Sequence, residues 1–381
     1  MRALRNGLVG ILLVLVTGVI VWLLTPTLSR IVDVPRTDYL DMHVHTAGLG
    51  VRGSGAFVND VMRSSYKFPI YLYALGVSME EIETQGDVVV LRNISRQVGE
   101  SRRVARAVVL AMDGVVNARG ELDVDQTQIY VPNSFLMREL PRFENLEFGA
   151  SVNPYRLDAV DRLERVADGG ALLVKWIPNI MHIDPADEAI IPFYRKLVEL
   201  DMPLLTHTGQ ERSFAHARDE LGDPDRLRLP LSLGVRVMAA HIGSTGMNDG
   251  ISNYERLNAM IETFPNLAVG ISSLTQVNRR NSLAHALTRE ELNERMYYGT
   301  DWPLQFFPLV SPLFHLNHIS WREARSIVAI DNVWDRDVAL KEAIGVPTVV
   351  FERTGAYFSR SRRPALRHII VAYTRFIAFA F

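Results

Sequence analysis

A chain of 381 residues with 41 basic and 43 acidic side chains carries a net charge of -2, which excludes the strongly basic profile of a general nucleic-acid binder. There is no cysteine, so disulfides, a cysteine nucleophile and thiolate metal sites are excluded, and any metal must be held by nitrogen and oxygen. The length allows one large domain or two average ones, with a sizeable core in either case.

Arg2 and Arg5 precede residues 7–24, a run without a charged side chain. As a helix this run would be about 27 Å long, close to the hydrocarbon thickness of a bilayer. Residues 1–30 are therefore expected to hold a single-pass anchor, against a cleaved signal peptide or a buried helix as competing readings. The basic amino end belongs in the cytoplasm and the folded part outside it, in the periplasm of a Gram-negative source. Signal cleavage would instead yield a secreted protein.

Residues 31–38 lead into Tyr39-Leu-Asp-Met-His-Val-His-Thr, a short apolar stretch with strand character. Side chains alternate along a strand, so His43 and His45 share a face, about 7 Å apart along it, as a pair of metal ligands would. The next fifty-odd residues read as a long insertion between the first two strands: a glycine-rich piece (Gly48, Gly50, Gly53, Gly55), an aromatic piece (Tyr66, Phe68, Tyr71, Tyr73), a helical turn over 79–84 and a strand over 87–91. A connection that long beside a site-bearing strand reads as a lid or pocket wall, with a purely structural insertion as its rival.

Apolar runs then recur at 107–112, 148–152, 171–176, 203–206, 236–240, 267–271 and 296–299. Between them lie amphipathic helices, one with Leu157, Val160, Leu163 and Ala167 on a face and another with Tyr254, Leu257 and Ile261. Eight strands alternating with helices about every thirty residues predict an α/β fold, a (β/α)8 TIM-like barrel over residues 31–350. Lys175, His207, His241 and Asp301 stand where an apolar run gives way to a turn, at the strand ends where such barrels keep their sites. Helices are expected over 321–330 and 335–344. Residues 351–381 form a basic, aromatic-rich tail that fits either a membrane surface or the barrel itself.

Taken together, Asp-x-His-x-His, the lysine of the fourth strand, Thr-His-Thr-Gly, Ala-His-Ile-Gly and Gly-Thr-Asp-Trp-Pro resemble the amidohydrolase superfamily of metal-dependent barrels. The likeness is to the branch holding amino-carboxymuconate-semialdehyde decarboxylase and the resorcylate decarboxylases; it spans residues 39–345 and includes Asn133 and Asn332. The resemblance implies a divalent metal, zinc above all, held by His43, His45, His207 and Asp301, with a place left for water. Asp301 would take the proton of that water, and His241 would orient it, steady an oxyanion or bind a second ion. Lys175 has three readings: a carboxylated bridge between two metals, an unmodified cation for a substrate carboxylate, or a side chain that passes the site by. One ion is the favoured count.

His182, Gln210, Arg212 and His216 lie on connections expected to open on the same mouth, as substrate contacts. His285, His315, His318 and His368 have no pattern around them and are not expected to be ligands. Three functions compete: a hydrolase of an amide, ester or related bond in a small molecule, a non-oxidative decarboxylase or hydratase of a carboxylic acid, and a non-catalytic membrane-tethered binding protein. A clustered polar ligand set is costly to keep in a pocket without chemistry, which weighs against the last. Self-association is left open.

Overall fold

The computed structural model of the chain describes residues 34–359. Eight strands make the barrel, in chain order: β1 Tyr39–His45, β2 Val104–Leu110, β3 Leu146–Gly149, β4 Val174–Trp176, β5 Leu204–His207, β6 Val237–Ala240, β7 Leu267–Gly270 and β8 Met296–Tyr297; two short antiparallel pairs lie outside it. Hydrogen-bonded neighbours in the barrel run parallel throughout, as β1–β2–β3 and β4–β5–β6–β7–β8. Two bridges close the ring, Ala150 with Val174 between β3 and β4, and Val44 with Trp302 between β1 and the turn after β8. The TIM-like barrel expected from the alternation of runs is thus present, strand for strand.

The two faces of each strand separate into two layers. Leu40, Met42, Val108, Leu110, Leu205 and Met238 form an inner core, while Tyr39, Ala107, Val109, Leu204, Val237 and Val269 pack outward against the helices. Each large apolar side chain buried this way contributes about 1.5–3 kcal/mol over leaving it in water. Phe358, from the helix Thr348–Ser359, joins the inner core and plugs the barrel from its amino-terminal end. A domain boundary expected at 350/351 falls inside this helix, whose Phe351 is fully buried.

The long β1–β2 insertion is helical: Asp60–Arg63, Lys67–Leu75, Met79–Gln85 and Val88–Glu100. A reciprocal Ser78–Glu81 capping box starts the third of these. The strand expected over 87–91 is instead the opening of the fourth. Val90, Ile94 and Val98 repeat every four residues and are all buried, so burial of a helical stripe overrides the β-branched composition. Asp87 does not cap this helix; its carboxylate holds the backbone N–H groups of Leu49 and Gly50, each at 2.9 Å.

One expected helix face was out of phase. The helix Ala159–Asp168 buries Ala159, Leu163 and Val166, whereas Leu157 lies before it, 88% exposed, with its N–H given to the Gly120 carbonyl. The anchor expected over 7–24 and the tail beyond Ser359 lie outside the described residues. Among the described residues no helix is long and apolar enough to cross a membrane.

Candidate metal centre

A bulge aims the first two histidines. Between Asp41 and Val44 the β1–β2 register slips, with Asp41 opposite Ala107 and Val44 opposite Val109. One extra residue on β1 reverses the alternation. Leu40 and Met42 face the inner core below the slip, and Val44 faces outward above it, which turns His43 and His45 toward the mouth. Asp41 fixes the bulge by accepting hydrogen bonds from the N–H groups of His43 and Thr300 (both 3.0 Å) and from Trp334 Nε1 (2.8 Å).

The two imidazoles converge: His43 Nε2 and His45 Nε2 are 3.1 Å apart, and each is 3.2 Å from Asp301 Oδ1. Atoms sharing one first-row divalent ion at about 2.1 Å lie about 3.0–3.4 Å from one another. His241 extends the group, with ligand atoms of His43, His241 and Asp301 all within 4.8 Å. His207 stacks edge-on against His241 at a centroid distance of 5.0 Å, and its buried Nε2 has no partner. A buried imidazole nitrogen without a partner, next to a triangle of that size, fits a divalent cation.

A second layer orients these groups. Ser272 Oγ lies 3.0 Å from His43 Nδ1 and 3.1 Å from His241 Nδ1, and the Ser272 carbonyl is 3.0 Å from His241 Nδ1. With Nδ1 engaged, the Nε2 atoms are left for a ligand. The Ser273 hydroxyl donates to Asp301 Oδ2, and Glu211 Oε2 stands 3.4 Å from His207 Nδ1. The backbone is strained here: His241, Ile242, Ser273 and Asp301 all take positive φ, between 53° and 68°. Non-glycine residues in that region cost of order 1–3 kcal/mol each, and they gather at functional sites.

Burial sets the charges. It holds His43 and His241 well below the usual imidazole range, and takes His207 down to about 3 with help from Lys175 and Arg279. These are neutral rings, the form that ligates metal. Burial opposes charge on Asp301 too, yet its carboxyl is held well below the usual carboxylate range in its contact with the surrounding imidazoles. Lys175, 2% exposed, is lowered by burial to about 8 against the pull of Asp301 and Glu211.

The centre opens on two connected spaces. The inner chamber is lined by His45, Lys175, His207, Glu211, His241 and Asp301, with Thr46, Tyr71 and Ser213 beside them, and otherwise by hydrocarbon from the β1–β2 insertion and from Met112, Ile129, Ile177, Phe214, Pro303 and Leu304. The outer mouth shares His207, Glu211, His241 and Asp301 and adds Arg212, Gln276 and Arg279. Arg279 is only 8% exposed, and its Nε has no partner.

Of the residues expected from sequence, His45, Lys175, His207, His241 and Asp301 line one chamber, His43 lies against His241 and Asp301, and Arg212 lies on the outer rim. His182 and Gln210 line neither space: His182 ends the helix Pro178–Met181 at φ 54°, and Gln210 accepts a hydrogen bond from Arg212. His216 is exposed, and its carbonyl accepts from Gln128. His315 is buried with Nε2 3.0 Å from the Thr275 carbonyl, and His285 packs on Tyr254. Asn133 clasps the backbone of Ser151, and Asn332 caps the helix Val333–Ile344. Glu211, Ser272, Ser273 and Arg279 went unread. Glu211 follows Thr-His-Thr-Gly-Gln directly, but Arg279 ends a short 3-10 turn, Val277–Arg279, with no local signal.

The family model described as "Amidohydrolase" matches residues 101–309. Among solved structures, an uncharacterised TIM-barrel protein from Bordetella bronchiseptica superposes with a TM-score of 0.50 at 13% identity, over 85% of this chain and 100% of that one. A provisionally named 2-pyrone-4,6-dicarboxylic acid hydrolase from Pseudomonas putida gives 0.48 at 15% identity, over 84% and 97%. A manganese-bound 5-carboxyvanillate decarboxylase from Novosphingobium aromaticivorans gives 0.44 at 13% identity, over 80% and 96%. No curated protein matches the sequence.

Proposed function

The chain belongs to the amidohydrolase family, enzymes that hydrolyse or decarboxylate on a metal-dependent barrel, and from that premise we propose that it hydrolyses an amide, ester or related bond of a small molecule. The observation that carries this reading is the triangle of His43 Nε2, His45 Nε2 and Asp301 Oδ1, with edges of 3.1–3.2 Å, at the carboxyl end of the barrel. His43, His45, His207 and Asp301 would hold the ion, zinc above all. A second ion would join only if Lys175 carried a carbamate. When bound, such an ion supplies Lewis acidity and a lowered pKa for water.

The chain's own residues do the rest. Asp301, whose Oδ1 is the ligand atom of the triangle, accepts a proton on its carboxylate, with Oδ2 held in place by the Ser273 hydroxyl. His241, kept neutral by burial and donating from Nδ1 to the Ser272 carbonyl, presents Nε2 as an acceptor that would orient a water or join the ion. Lys175 and Arg279 provide buried cations for an anionic part of the substrate.

Arg279 also favours a second reading. A buried guanidinium with an unpaired Nε on the wall of the mouth is the group that would grip a carboxylate, as non-oxidative decarboxylation requires. Product analysis separates the two with metal-loaded protein and a panel of amides, esters, lactones and aromatic acids. Hydrolysis gives acid plus amine or alcohol. Release of carbon dioxide from the acids with no turnover of the others would replace the first reading by the second.

For the location, we propose a membrane tether through residues 7–24 with the site outside the cytoplasm, on the strength of that uncharged run behind Arg2 and Arg5. Release of the whole chain from membranes by an alkaline wash would refute it.

A further inference from the structure

The inner chamber is polar at one end only. The polar groups named above line that end, whereas the far walls are hydrocarbon from the β1–β2 insertion and its neighbours, among them Val58, Met62, Leu72, Leu75, Ile82 and Val90. Protein interiors are close-packed, and an open apolar space of this kind loses contacts on every wall. Water fills such a space badly, because a buried water needs two to four polar partners and the far walls offer few.

The walls are also fixed in place. Asp87 ties the loop after β1 to the helix Val88–Glu100 through the N–H groups of Leu49 and Gly50 and the hydroxyl of Ser54. Gly48 lies so close that an added Cβ would meet Asp87 Oδ2 at 2.5 Å. The helix Lys67–Leu75 is latched to the loop after β5, with Lys67 Nζ donating to the Arg212 carbonyl at 2.7 Å and the Tyr71 hydroxyl donating to the Ser213 carbonyl. The chamber is therefore preformed and does not need collapse of a loose loop to make it.

We infer that the inner chamber seats a hydrocarbon group of the substrate. The substrate class is then an amphiphile, with a carbonyl or carboxyl head at Asp301 and His45 and an alkyl or aryl group reaching toward Ile82 and Val90. The position of the head rests on the function proposed above. The apolar seat does not, because it follows from the walls alone.

The test is calorimetric titration of the metal-loaded full chain with straight-chain carboxylates from butanoate to decanoate, each below its micelle-forming concentration. All share one head, so the trend with length reports the tail. Affinity is expected to rise about three- to fourfold per added methylene until the chamber is full. Leu72→Trp, at a half-buried wall position, should end that rise at a shorter chain, and Leu72→Ala should not. Both variants are first checked for a wild-type melting curve. Affinity that is flat beyond butanoate, or a trend unchanged in a folded Leu72→Trp, overturns the inference. Metal content measured on the same samples keeps the two proposals apart. A length trend in protein that binds no metal defeats the proposed function alone, and a flat series in metal-bound protein defeats the apolar seat alone.

Discussion

The two ends of the barrel are built on opposite rules. At the amino-terminal end Phe358 and the inner leucines and methionines fill the cylinder with hydrocarbon. At the carboxyl end four non-glycine residues hold positive φ, His207 Nε2 and Arg279 Nε lack partners, and Lys175 is buried. The same strands supply both. On β1 the change takes a single extra residue between Asp41 and Val44, which swaps hydrocarbon for imidazole on the interior face. Stability is concentrated at one end, and the strain it supports at the other.

Substitutions at the two ends should therefore fail differently. The largest effect is expected from Asp301→Asn, which removes the proton acceptor with little change in shape. Turnover should fall about 10²–10⁴-fold with the melting temperature close to wild type, read by steady-state kinetics and calorimetry. At the other end Phe351→Ala should cost about 3–5 kcal/mol in denaturant unfolding. Its metal content should stay as in wild type. If Phe351→Ala stripped the metal while Asp301→Asn merely unfolded the protein, the division between the ends would be wrong.

Smaller changes sharpen the contrast. Ser272→Ala removes the hydroxyl between His43 Nδ1 and His241 Nδ1 and should weaken metal affinity about 10–100-fold in a chelator competition. Arg119→Ala, which breaks an exposed pair with Glu121, belongs to neither end and should shift stability by less than about 1 kcal/mol.

Much of this was legible in the chain itself, for identifiable reasons. The strands could be read because each is an apolar run of limited length, and His43, His45, His207, His241 and Asp301 because each sits at or beside the end of one. What could not be read depends on contacts between distant segments. Arg279 reaches the mouth from a 3-10 turn nine residues past Gly270, and nothing near it in the chain marks its destination. Val88-Val-Val-Leu carries strand composition but is helical, because Val90, Ile94 and Val98 bury one stripe. His182 and Gln210 stand in the expected connections but line neither space, His182 in a left-handed turn and Gln210 bonded to Arg212. The bulge on β1 was equally hidden. Alternation alone puts His43 and His45 on one face, but only the register with β2 says which face that is.

In the proposed centre His43, His45, His207 and Asp301 converge on one divalent ion. Metal analysis of the purified full chain, wild type beside His43→Ala, tests it most directly. About one equivalent of divalent metal per wild-type chain, and a clear loss in a variant that still melts cooperatively, is the expected result. Equal metal in the two proteins, or none in wild type after reconstitution, would contradict it.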